Sequence, residues 1–139
     1  MNLHILWLIK HPDMENKLVF FVDDDKMILN LLEYTFKSRA GIQVKTFFSG
    51  EECLENMHLK PDLVVLDHLF PEDTGQLSGM DVIIKMREAD KDVSIIVLSS
   101  QQDENLIPEF LKVGAKQYIS KDDYFIDALI ESIEAEVDS

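Results

Sequence analysis

LVFFVDDD, residues 18–25, decides how the rest of this 139-residue chain is read. Five consecutive apolar side chains with no polar alternation describe a strand buried on both faces, the habit of a parallel sheet. Three aspartates follow at once. Three further apolar runs end in the same manner: LVVL (63–66) in Asp67, SIIVL (94–98) in Ser99 and Ser100, and KQYIS (116–120) in Lys121. In an open α/β sheet the carboxyl ends of parallel strands face one crevice, where such folds bind ligands. Residues spread over about a hundred positions therefore meet at one place. Acidic groups, a hydroxyl and a lysine gathered there compose a magnesium-dependent phosphoryl site.

Outward from this stretch, strands are expected at residues 18–22, 42–47, 62–67, 93–98 and 116–119. Ile28, Leu31, Leu32, Thr35 and Phe36 form one helical stripe between them. Leu106, Ile107, Phe110 and Leu111 form a second, and Ile126, Leu129, Ile130, Ile133 and Val137 a third. Ser49, followed by Gly50, Glu51 and Glu52, marks a helix start whose acidic residues the dipole favours. Gly79 opens the third helix and Gly114 stops the fourth. Strands alternating with helices imply right-handed βαβ units and a doubly wound, mainly parallel five-stranded α/β sheet.

The five repeats are expected to fill residues 17–138 as one domain, with residues 1–16 as an N-terminal extension and no output domain. The extension carries an apolar stretch over residues 3–9, free or packed on the domain or on another copy. Residues 71–78 form a polar loop with Gly75 that lengthens the connection after Asp67. Loop entropy grows slowly with length, so the insertion costs little.

Composition narrows the partners. With 27 acidic and 13 basic residues the formal charge is −14, and such a chain repels nucleic-acid phosphates. The 3–9 stretch is far shorter than the ~20 residues of a membrane span and lacks the flanks of a signal peptide. A single cysteine, Cys53, precludes an internal disulfide and fits a reducing cytoplasm. Its place in a helix makes it a buried or half-buried structural thiol. Taken singly, each candidate site residue has an ordinary explanation, such as a turn aspartate, a loop serine or a solvated lysine. Convergence of four strand ends does not.

Five ordered motifs carry a resemblance: VDDDKMIL (22–29), LVVLDHLFP (63–71), GMDVIIKMR (79–87), IIVLSS (95–100) and GAKQYISK (114–121). Over residues 17 to about 137 the chain resembles the receiver domain of bacterial two-component response regulators, the CheY-like superfamily. The resemblance implies a flavodoxin-like receiver fold with strand order 2-1-3-4-5 and five helices. It implies that Asp67 accepts the phosphoryl group and that Asp24 is a direct Mg2+ ligand. Asp23 acts mainly through a metal-bound water, and the backbone carbonyl of Leu69 completes the metal site with Asp67. Asp25 occupies a variable position and adds negative potential. The Ser99 hydroxyl bonds the phosphoryl group and moves toward it on activation, Tyr118 changes rotamer with it, and Lys121 contacts the phosphoryl oxygens. The implied donor is a phosphohistidine on a sensor histidine kinase or a histidine phosphotransfer protein. None of the chain's own histidines is needed, and His68 reads as a solvent or core side chain. The readout is contact with an unknown protein target or a phosphorelay. Catalysis is confined to the domain's own phosphorylation and dephosphorylation.

Departures from the family pattern carry their own expectations. Asp122 stands where most members have proline, often after a cis peptide. A non-proline cis bond costs ~3 kcal/mol, so a trans Lys121–Asp122 bond is expected, with Asp122 capping the last helix. Gly79, rather than Gly75, matches the family glycine by its distance to Arg87. Leu69 and Gln101 sit where side chains influence water attack, and an apolar Leu69 cannot orient water, so self-dephosphorylation is expected to be slow. An aspartate-nucleophile phosphatase of the haloacid dehalogenase type needs a second aspartate two residues after the first, and Leu69 stands there instead. A receiver-like module that never takes phosphate would lack Asp67, Lys121 or the acidic pair, and all are present.

Overall fold

Phe20 and Phe21 are neighbours in the chain, both fully buried, and in this computed structural model they enter different cores. Successive side chains of a strand point to opposite faces, so a sheet covered on both sides must bury both rings. Phe20 meets Phe47 edge-on, with ring centroids 4.8 Å apart. Phe21 packs on Phe36 at 5.4 Å across the other face. The structure describes residues 16–67, 77–100 and 106–137, together with Leu3.

In chain order the elements are β1 (Lys17–Val22), α1 (Lys26–Lys37), β2 (Ile42–Phe47), α2 (Gly50–Glu55), a 3₁₀ turn (Met57–Leu59) and β3 (Leu63–Asp67). α3 (Gly79–Ala89), β4 (Ser94–Ser99), α4 (Leu106–Lys112), β5 (Gln117–Ser120) and α5 (Phe125–Val137) follow. All the strands pair in parallel, in the order β2-β1-β3-β4-β5. That is the doubly wound order the resemblance implied. One face is covered by α2, α3 and α4 through Cys53, Val82, Ile83, Met86 and Phe110. The other is covered by α1 and α5 through Leu29, Leu32, Phe36, Leu129 and Ile133.

The α1 stripe differs from the expected one. Leu29 is buried, and Leu31 stands 44% exposed. A helix turns about 100° per residue, and the face shared by Leu29, Leu32 and Phe36 leaves Leu31 at the solvent edge. In α4, Phe110 is likewise buried while Leu111 is exposed. The side chain of Val137 and the whole of the 3–9 stretch apart from Leu3 fall outside the described residues.

Caps follow the sequence signals. Ser49 accepts the Glu52 N–H at 3.1 Å while Glu52 reaches back to the Phe48 N–H at 3.2 Å. Ser78 accepts from Asp81 N–H at 3.1 Å and opens α3 at Gly79. Gly50 lets α2 approach α3 closely, since a Cβ there would lie 2.3 Å from Val82 Cγ2. At the end of α4, Gly114 has φ +114°. Its N–H donates to Leu111 O at 3.2 Å and the Ala115 N–H to Phe110 O at 3.0 Å. This is a Schellman closure, which requires a left-handed residue and therefore favours glycine. Arg87 crosses beneath it, donating to the carbonyls of Lys91 (2.9 Å), Val93 (2.7 Å) and Gly114 (2.7 Å). One guanidinium thus ties the α3–β4 and α4–β5 connections together. No helix among the described residues is long and apolar enough to cross a membrane.

Candidate functional site

Asp67 and Ser99 are the last residues of β3 and β4, Asp23 follows β1, and Lys121 follows β5. The Lys121 N–H donates to the Ser99 carbonyl at 2.8 Å, extending the β4–β5 ladder by one step and holding the lysine beside β4. Among the described residues, Asp23, Asp67 and Ser99 are the buried polar ones, at 1%, 3% and 0% exposure. Burying polar groups without need is unfavourable, and their clustering at the carboxyl ends of the three central strands marks a site.

Carboxylate oxygens of Asp23, Asp24 and Asp67 all lie within 4.8 Å of one another. Lys121 Nζ sits 2.8 Å from Asp23 Oδ2 and 3.0 Å from Asp67 Oδ2. The other oxygen of Asp23 accepts the Asp25 N–H at 2.8 Å, which fixes its carboxylate plane. Asp25 does more than add charge. Its Oδ1 accepts from the Met27 N–H at 2.9 Å and the Ile28 N–H at 3.4 Å, capping α1. The aspartate run therefore divides, the first two residues serving the crevice and the third the helix.

Electrostatics follow from this crowding. Partial burial, then the charge of Asp23 and a hydrogen bond with it, hold the Asp24 carboxyl above the ordinary aspartate range. At Lys121 burial works to lower the pKa, but hydrogen bonds to Asp23 and Asp67 and their two charges together outweigh it. The result is a lysine held above its usual value and firmly cationic. Three carboxylates against one ammonium leave excess negative charge in an all-oxygen donor set. Such a set suits a small hard divalent cation.

Tyr118 lies on β5 opposite Val97 of β4, half-buried, with its ring 5.8 Å from that of Phe110 at a 41° tilt. Phe110 was legible only as part of a helical stripe, because nothing in its local sequence shows which strand it meets. Glu51 was legible only as a favourable first-turn acid. Its Oε1 also accepts the Leu77 N–H at 2.6 Å and so pins the far end of the long connection after Asp67. Asp122 caps a turn before α5 rather than α5 itself, since its Oδ1 accepts the Tyr124 N–H at 2.8 Å and the helix begins at Phe125. The described residues contain no cis peptide, so Lys121–Asp122 is trans. His68, Leu69, Gln101 and most of the 71–78 loop lie outside the described residues.

The family model of the response regulator receiver domain matches residues 19–134. The chain belongs to that family. This receiver is 35% identical over 107 residues to the alkaline phosphatase synthesis transcriptional regulatory protein PhoP of Bacillus subtilis, covering 76% of the chain and 42% of PhoP. It is 33% identical over 107 residues to the chemotaxis protein CheY of Thermotoga maritima, covering 76% of the chain and 85% of CheY. The receiver thus spans about two fifths of PhoP and, at 43%, of the response regulator SaeR of Staphylococcus epidermidis. Among solved structures, the receiver domain of Francisella response regulator 1452 superposes with a TM-score of 0.74 at 28% identity, covering 88% of this chain and 98% of that one. A CheY-like receiver protein from Methanospirillum hungatei superposes at 0.77 and 22% identity, covering 88% and 94%, which bears on the fold alone. Receiver domains are signalling phosphoacceptors that interact with histidine kinases and downstream targets, and they generally bind magnesium.

Proposed function

We propose that this receiver takes a phosphoryl group from a phosphohistidine onto Asp67, with Mg2+ held by Asp23, Asp24, Asp67 and the Leu69 carbonyl. One observation carries the reading. Lys121 joins the buried carboxylates of Asp23 and Asp67, and with the exposed Asp24 beside them the cluster has more negative charge than the lysine can offset.

The chemistry asks little of the protein beyond placement and charge. An Asp67 oxygen forms a bond to phosphorus as the phosphorus–nitrogen bond to the donor imidazole breaks, and the bonding pair leaves with the imidazole. Magnesium, when bound, supplies positive charge to the phosphoryl oxygens. Lys121 has the ammonium to bond one of those oxygens, and the Ser99 hydroxyl can donate to another. Ser99 and Tyr118 then move together, changing the surface formed by α4, β5 and α5. An apolar Leu69 leaves attacking water unoriented, so the phosphoryl group is lost slowly.

The donor is a sensor histidine kinase or a histidine phosphotransfer protein. An exposed stripe of Met27, Leu31 and Tyr34 on α1 begins beside the acidic residues and supports docking of a helical donor there. The acting unit is residues 17–138, preceded by the 1–16 extension, working in the cytoplasm as a stand-alone receiver by protein contact or relay. Likeness to CheY of T. maritima, 85% of which is covered, supports that reading. The charge of −14 argues against direct nucleic-acid contact by this chain.

Incubation with magnesium and acetyl phosphate, followed by intact mass, tests the proposal. One added phosphoryl group is expected on wild type and none on Asp67→Ala. No addition to wild type, or equal labelling of the variant, overturns it.

A further inference from the structure

We propose that Phe110 is the positioning residue for the switch tyrosine: its ring seats Tyr118 in the resting conformation and sets how readily Tyr118 leaves it. The inference rests on the reading of Tyr118 as the aromatic that changes rotamer with phosphorylation. Lys121 here bonds both Asp23 and Asp67, and on that reading the Tyr118 position beside Phe110 is taken as the resting one.

Three observations converge on Phe110. The first is contact, with ring centroids 5.8 Å apart at a 41° tilt, within the range of favourable aromatic pairs. Asymmetry of burial is the second. Phe110 is 2% exposed and belongs to the core beneath the sheet, while Tyr118 is half-buried and packs on that core from its margin. The inner ring is thus the fixed one and the outer ring the one with somewhere to go. Backbone anchoring is the third. The Phe110 carbonyl accepts the Ala115 N–H in the Schellman closure, and the next N–H, that of Lys116, donates to Ile95 O at 2.8 Å on β4. Phe110 is therefore tied by its backbone to the turn that leads into β5 and by its ring to Tyr118 on that strand.

The same ties explain how movement of Tyr118 reaches α4. This seven-residue helix has β5 as its main packing partner, and Phe110 is its buried side chain. Departure of the tyrosine ring removes one wall of the pocket that Phe110 fills. α4 then loses part of its seat on the sheet. Phe110 acts as a latch: it favours the resting rotamer and passes the loss of that rotamer to the helix.

Affinity for beryllium trifluoride with magnesium, a stable phosphoryl mimic, tests the latch in the 139-residue chain. Phe110→Leu keeps an apolar core side chain and removes the ring. Loss of an aromatic pair is expected to tighten the mimic's apparent affinity by roughly two- to tenfold. In a Tyr118→Ala background the same substitution is expected to change nothing. Phe110→Met replaces the leucine variant should thermal unfolding show that variant unfolded. Unchanged or weakened affinity on substituting Phe110, or an equal effect with and without Tyr118, overturns the latch. If Tyr118→Ala alone leaves both mimic affinity and the amide signals of α4 unmoved, the switch reading itself fails, an outcome separate from the first.

Discussion

The ammonium of Lys121 lies 2.8 Å from Oδ2 of Asp23, joining residues 98 positions apart in the chain. Both side chains are largely buried, at 14% and 2% exposure. A pair of this kind holds the fold in register, and both carboxylates that Lys121 bonds belong to the oxygen cluster suited to a divalent cation. Stability and ligand binding are therefore coupled at one bond.

Lys121→Met is expected to destabilise the metal-free protein by about 3 kcal/mol, because it leaves buried carboxylates without their partner. Magnesium should restore part of the loss. Urea unfolding with and without the metal measures both. The lysine's folded pKa is raised, so its stabilisation is complete below the ordinary lysine value and is lost as pH rises through the higher folded value. The gap between wild type and variant should stay constant through neutral pH and close only in strong alkali. A gap that closes near neutrality would mean that the ion pair is not its source.

Asp24 has the opposite sign. Its carboxyl pKa is raised by burial and by Asp23, so the ionised form is penalised in the fold, and the penalty disappears as pH falls through the folded value. Asp24→Asn should therefore stabilise the metal-free protein at neutral pH and abolish the gain from magnesium. For wild type that gain is ~2.7 kcal/mol at a metal concentration 100-fold above Kd. Protons compete for the same oxygen, so magnesium affinity should begin to fall at a pH above the usual aspartate range. Calorimetric titration across acid pH checks the onset.

Arg87→Lys should cost at least about 2 kcal/mol, since an ammonium cannot serve carbonyls on two separate connections and leaves buried acceptors unpaired. Thermal unfolding measures it. Labelling by acetyl phosphate should survive at temperatures where the variant is folded, because the clasp lies at the other end of the strands from Asp67.

Gly50→Ala is expected to destabilise by about 1–3 kcal/mol through overpacking, given the 2.3 Å approach to Val82. Combining it with Val82→Ala should return part of that loss. Additive effects in the double variant would show that the two helices do not clash there.

What could be read in advance follows from where the information resides. Buried parallel strands write themselves as unbroken apolar runs, so β1, β3 and β4 were found to within one position, while the edge strand β2 shows itself by alternation in IQVKTF. Asp23, Asp67, Ser99 and Lys121 were legible because each immediately ends or follows a strand. The rotation of α1 was not, since Leu31 and Leu29 both satisfy a helical period and only packing against the sheet chooses between them. Arg87 served as a spacing marker alone, because its partners are backbone carbonyls, which every residue has and no sequence pattern announces. The Phe110–Tyr118 pair is hidden for a related reason: it is made by a helix closing back onto a strand.

The strand order also has a consequence for how the molecule could be divided. A cut in the α3–β4 connection, at residues 90–92, would leave Asp23, Asp24 and Asp67 on one fragment and Ser99 and Lys121 on the other. One piece holds the acceptor without its counter-charge, the other the counter-charge without an acceptor. Only reassembly through the β3–β4 ladder brings them together. Phosphoryl uptake by a mixture of the two halves would then report their association, making the sheet a natural two-part sensor of proximity.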